Sequence, residues 1–242
     1  MNLPSHCRPI LISSILAIIL APCARSQGFD VSGQIVISRQ AGQAHASSVP
    51  PANVVVWLTP TQKDWTPPAN RNALTYTLTQ KDKMFSPHLL VVPSGSSVDF
   101  PNLDPFFHNV FSLFNGKRFD LGLYEAHTHR TVRFDREGVS YIFCNIHPEM
   151  GAVIVTLSTP YYGVSGQDGT VTIHNVPGGN YRLNVWAENV AETQLNALSR
   201  SIVINRQNPQ LGTLHLTATG DVMHNHMNKF GETYPPAAKE PY

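Results

Sequence analysis

Cysteine is scarce in this chain of 242 residues, with three in all. Two of them, Cys7 and Cys23, fall in the first stretch that reads as a removable leader. Charge is scarce too: Asp, Glu, Lys and Arg make up 14% of the residues and the formal net charge is +1, against a usual charged share of about 25%. No basic stripe is present, which excludes the electrostatic footprint of a nucleic-acid binder. Long apolar runs are also lacking. Ile10 to Leu20 is broken by Ser13 and Ser14 and falls short of the ~20 residues that span a bilayer. With Arg8 before it and the small-x-small triplet Ala24-Arg25-Ser26 after it, the run reads as a secretory signal peptide over residues 1–26. The mature chain is then expected in the periplasm or secreted, without a membrane span. Cys144 is left as its single cysteine, so an internal disulfide is excluded.

Helical patterning is equally sparse, the one candidate being the short stretch Glu188 to Ala197. What fills the chain is a succession of β-branched and aromatic runs bounded by Gly, Pro and Asn. They include Val31 to Ser38, Val54 to Thr59, Ser97 to Phe100, His108 to Leu113, Val139 to Cys144, Ala152 to Leu157, Tyr181 to Ala187 and Thr213 to Leu216. That pattern predicts an all-β protein.

The chemistry concentrates in one short run, Cys144-Asn145-Ile146-His147-Pro148-Glu149-Met150, with His108 upstream in Phe107-His108-Asn109-Val110. Two imidazoles and a thiolate in a plane with a weak axial thioether are the donors of a mononuclear blue-copper electron-transfer site. Zinc would more usually take Cys, His and carboxylate and leave the methionine unused. The expected ligands are His108, Cys144, His147 and Met150, and the expected cofactor is one type 1 copper. Asn109 and Asn145, each beside a ligand, are candidates for hydrogen bonds that orient the loops, or are turn and strand-edge residues. Pro148 stiffens the loop and removes a donor.

Two family resemblances organise the rest. The block from about residue 72 to 158 resembles the plastocyanin/amicyanin branch of the cupredoxins, the methylamine-utilization type included. The matching stretches are Val98-Asp99-Phe100-Pro101-Asn102-Leu103-Asp104, Phe107-His108-Asn109-Val110 and Gly138-Val139-Ser140-Tyr141-Ile142-Phe143-Cys144, with an amicyanin-like short gap between His147 and Met150. The flanks, residues 28–66 and 160–219, resemble the carboxypeptidase regulatory-like (transthyretin-like) β-sandwich. They carry a Gly-containing strand Val31-Ser32-Gly33, a Val-rich strand Val54-Val55-Val56, then Asp168-Gly169-Thr170-Val171-Thr172-Ile173 and Val176-Pro177-Gly178-Gly179-Asn180-Tyr181-Arg182-Leu183. Val171 stands where that family often has Phe. Together they imply a Greek-key cupredoxin sandwich inserted in, or packed between, the halves of a second sandwich, with Asp168-Gly169 as a hairpin turn.

The cupredoxin resemblance implies a non-enzymatic electron carrier with a redox-protein partner. It implies that the edge of His147 reaches the surface through an apolar patch of Pro105, Phe106, Phe107 and Pro148; core packing is the other role open to those phenylalanines. Asp104 and Glu149 are expected to be solvated surface charges. Residues 220–242 are expected to form a polar tail that copper binding does not need. Two other functions stay open. One is a copper carrier or storage protein, on the strength of Met223-His224-Asn225-His226-Met227. The other is a copper-enzyme domain, on the strength of the His-x-His spacings 127/129 and 224/226.

Overall fold

A computed structural model describes residues 28–39, 50–67, 74–113, 116–219 and 226–234; the expected leader lies outside them. In chain order the first strands are β1 Phe29–Arg39, β2 Val55–Pro60, β3 Thr75–Thr77, β4 Thr79–Lys81, β5 Met84–Ser86 and β6 Leu89–Pro93. Next come β7 Ser96–Pro101, β8 His108–Ser112, β9 Phe119–Tyr124, β10 His129–Phe134, β11 Gly138–Phe143 and β12 Gly151–Leu157. The last are β13 Tyr162–Val164, β14 Thr170–Val176, β15 Gly179–Trp186, helix α1 Glu192–Leu198, β16 Arg200–Ile204 and β17 Gln210–Ala218. The fold is all-β, and α1 overlaps the one stretch that had helical character, starting four residues after its beginning and ending one residue past it.

The early strands reach across the sequence for their partners. β1 pairs antiparallel with β14 and parallel with β17. β2 pairs antiparallel with β13 and with β15. Between these flanks a five-stranded sheet runs β6-β12-β11-β8-β9, and a three-stranded sheet runs β10-β7-β3.

The five-stranded sheet is the middle layer, and its alternation shows why. In β11 and β12, Ile142, Ala152 and Ile154 face a core shared with Val98, Phe100, Phe134, Cys144 and Met150. Phe143, Val153, Val155 and Leu157 face the opposite way, into a core shared with Val31, Val56, Leu183, Trp186 and Leu214 of the flanking strands. A strand covered on both faces reads as a continuous apolar run rather than an alternating one, as β12 does; β8 is buried throughout as well but carries His108, Asn109 and Ser112 among its five residues. The central block and its flanks therefore share one apolar layer.

Asp168-Gly169 is a turn but not a hairpin. It joins β13 and β14, which lie in different sheets. Gly169 adopts φ +79, and a Cβ there would come within 2.4 Å of the Ile35 carbonyl oxygen. The close crossing onto β1 needs glycine. Four strands lacked a legible pattern in sequence. Met84–Ser86 and Tyr162–Val164 are very short, Leu89–Pro93 follows a proline, and Phe119–Tyr124 is interrupted by Gly122 at φ +66.

Candidate metal centre

β11 ends at Phe143 and delivers Cys144 fully buried at the mouth of the loop that returns into β12. The loop closes on itself through the Cys144 N–H to the Met150 carbonyl (3.3 Å) and the Met150 N–H to the His147 carbonyl (3.1 Å). His108 enters from the first position of β8, itself fully buried. His108 Nδ1 lies 3.8 Å from Cys144 Sγ, His147 Nδ1 lies 3.7 Å from the same sulfur, and the two Nδ1 atoms are 3.2 Å apart. Among the described residues these three form the one cluster of His, Cys and acidic side chains spaced to hold a metal ion. The Met150 side chain is buried in the same core as Cys144.

What orients His108 was not legible as such. Asp104 was expected on the surface; it is 4% exposed, and its Oδ2 accepts from His108 Nε2 at 2.8 Å. Placing the proton on Nε2 leaves the Nδ1 lone pair pointing at the cluster. Asp104 is itself fixed. It accepts from the backbone N–H groups of Asp82 (2.7 Å) and Lys83 (3.0 Å), which make the β4–β5 hairpin turn with φ 55 and 54, as a two-residue primed turn requires. Its own N–H donates to Asn102 Oδ1 at 3.0 Å. Burial works to raise the Asp104 carboxyl, but the hydrogen bonds from His108, Lys83 and Asp82 outweigh it and hold the group below its ordinary value.

Burial pushes the Cys144 thiol up, while the N–H groups of Asn109, Ile146 and His147 pull it the other way without offsetting it. Asn109 is buried, and its side-chain Nδ2 donates to Asp120 Oδ1 at 2.7 Å. Asn145 Oδ1 accepts from the Lys229 N–H at 2.9 Å. Phe106 is half-buried, with its ring centroid 5.2 Å from that of His108 and 5.7 Å from that of His147. Pro105 and Phe107, its chain neighbours, are exposed, as are Leu103 and, on either side of His147, Ile146 and Pro148.

The remaining histidines divide. His127 sits in a turn at φ 58 rather than on a strand edge, while His129 opens β10 and binds Asp99 at 2.9 Å. His224 lies outside the described residues. His226 is not in a free tail, since its Nε2 donates to the Pro148 carbonyl at 2.9 Å.

No family model matches the chain, and no curated protein does either. Among solved structures, a purple cupredoxin from Nitrosopumilus maritimus is similar at 23% identity and TM-score 0.31, covering 34% of this chain and 99% of that one. A Cu(I) amicyanin variant is similar at 16% identity and TM-score 0.33, covering 34% and 82%. A copper-containing nitrite reductase from Thermus scotoductus is similar at 17% identity and TM-score 0.34, covering 51% of this chain and 28% of that one. A copper assignment for this chain stands on its own donor atoms.

Proposed function

We propose that this chain is an exported carrier of single electrons, working through one type 1 copper held by His108, Cys144, His147 and Met150. The carrying observation is the convergence of two imidazole Nδ1 atoms on one buried sulfur, with the far nitrogen of His108 tied to Asp104. The donors fit the group: a soft sulfur, two imidazoles and a buried thioether suit copper better than zinc. Copper bound there would supply one-electron Cu(I)/Cu(II) chemistry.

The chain's own residues supply the rest. β8 and β11 are buried on both faces, so His108 and Cys144 are held by two packed cores and move little. Asp104 fixes the His108 tautomer. Cys144 must lose its proton to become a ligand, and burial opposes that loss in the metal-free protein. Phe106, with Pro105, Phe107 and Pro148 around it, gives an apolar face beside His147 on which a redox protein docks. The block 72–158 is read as a cupredoxin domain. Residues 28–66 and 160–219 are read as one discontinuous regulatory-like sandwich, supported by the pairing of β1 and β2 with strands after residue 161. His226 is engaged by the Pro148 carbonyl, which favours electron transfer over a metal-collecting tail.

The test is stopped-flow electron exchange with a soluble redox partner. Phe106→Lys is expected to slow exchange while leaving the visible spectrum unchanged. Met150→Leu keeps core volume, with a fold cost under about 1.5 kcal/mol, and is expected to raise the reduction potential because a donor favouring Cu(II) is lost. An unchanged potential would remove Met150 from the ligand set.

A further inference from the structure

The expected tail folds back onto the ligand loop. Tyr234 donates its hydroxyl proton to the Cys144 carbonyl at 2.8 Å, and the Lys229 N–H donates to Asn145 Oδ1 at 2.9 Å. With the His226 Nε2 bond to the Pro148 carbonyl at 2.9 Å, three bonds fall on a seven-residue loop. The His226 ring stacks on Phe143 with centroids 3.9 Å apart and planes 19° apart, and meets Tyr234 edge-on at 5.1 Å.

The segment reaches the His108 side as well. Lys229 Nζ pairs with Asp120 Oδ2 at 2.8 Å, and Asp120 Oδ1 accepts from Asn109, the residue next to His108. The segment is held in its own shape by Asn228. Its Oδ1 accepts from the N–H groups of Phe230 (2.9 Å) and Glu232 (3.0 Å), and its N–H donates to the Glu232 carbonyl. The loop's own backbone bonds are 3.1 and 3.3 Å long, and the N–H groups of Ile146 and His147 turn toward Cys144; the three bonds from the segment add to that internal set.

We infer that residues 226–234 are a clamp on the ligand loop, with His226, Lys229 and Tyr234 as positioning residues that hold Cys144 to Pro148 in ligating shape. The inference rests on the copper reading for its purpose, but the clamp itself is a property of the metal-free chain. Copper uptake and release then depend on how often this segment lifts, and a short C-terminal stretch far from the ligands in sequence sets the environment of the Cys144 sulfur.

The experiment uses the chain with Cys7 and Cys23 replaced by Ser, so that Cys144 is its one thiol, and in that background the variants Tyr234→Phe, His226→Ala and the pair together. In the metal-free protein, a soluble thiol reagent reads how often the loop opens to expose Cys144. Tyr234→Phe keeps the ring and loses one hydrogen bond, and is expected to speed modification about three- to tenfold, the double variant more. In the copper-loaded protein the same variants are expected to release copper faster to a chelator and to shift the visible band. A double variant whose thiol reacts within about twofold of wild type would overturn the clamp. Faster thiol modification in a protein that takes up no coloured copper would leave the clamp standing and sink the copper reading.

Discussion

The two cores on either side of the central sheet bury different things. The core toward the flanking strands is built from Val, Leu, Ile and aromatic side chains such as Val31, Leu183, Trp186 and Leu214. The core beside the ligands encloses Gln80, Asn102, Asp104, His108 and Asn109 as well. A buried polar group is costly unless it is bonded. Here most of the polar atoms are bonded, Asp104 with His108, Asn102 with the Phe106 carbonyl and Gln80 Nε2 with Tyr124, while Gln80 Oε1 and Asn109 Oδ1 are buried with no partner among the described residues. An apolar core answers to volume, whereas a polar one answers to partners. The difference marks which side of the sheet carries the chemistry and which side carries the weight.

Volume is the place to break that contrast. Leu183→Ala on the flanking side removes a fully buried side chain and is expected to cost about 2–5 kcal/mol, read by denaturant unfolding. Because the central sheet faces both cores, unfolding should remain a single transition, and copper bound to the still-folded protein should keep its spectrum. A shifted spectrum would mean that the flanking core tunes the site.

Asp104→Asn sharpens the other side. It removes the charge behind His108 with little change in volume, and copper affinity is expected to fall ten- to hundredfold, as for other residues that orient a metal-bound imidazole. Competition with a chelator checks this. Near-wild-type affinity would make the Asp104 contact incidental.

What could be read in advance follows from the same contrast. Cys144, His147 and Met150 lie in one contiguous run, so their spacing was visible, and the alternation of β11 and the β-branched apolar run of β12 announced strands. Asp104 was misjudged because a carboxylate four residues before a histidine, outside any helix, carries no periodic signal of burial. The roles of His226 and Tyr234 were hidden for a different reason. Tyr234 meets Cys144 across 90 positions, and a polar, Pro-containing stretch gives no local sign that it will pack. The shared apolar layer was obscured likewise. Two family-like patterns suggested one sandwich inserted in, or packed between, the halves of another, and neither pattern marks the outward face of β12 (Val153, Val155, Leu157) as packed on the flanks.

The smallest expected effect lies at that junction. His88, just before β6, bonds Glu188 at 2.7 Å. This bond, against the opposing effect of burial, raises the His88 pKa above 6.5. A raised folded-state pKa stabilises fully below the unfolded value and loses that stabilisation as pH rises through the folded one. The His88 side chain is 44% exposed, so the contribution is a few tenths of a kcal/mol after solvent screening. Comparing wild type with Glu188→Gln by denaturant unfolding at about pH 5.5 and about pH 8.5 should show a gap at the lower pH that narrows at the higher. A gap that widens with pH would reverse the assignment.

The central claim is that Cys144, His108 and His147 hold copper through a thiolate. Titrating the metal-free full chain with Cu(II) while recording its visible spectrum tests it most directly. The account predicts an intense thiolate-to-copper charge-transfer band that saturates at one copper per chain and disappears in Cys144→Ser. A colourless protein that prefers Zn(II), or a band that survives Cys144→Ser, would contradict it.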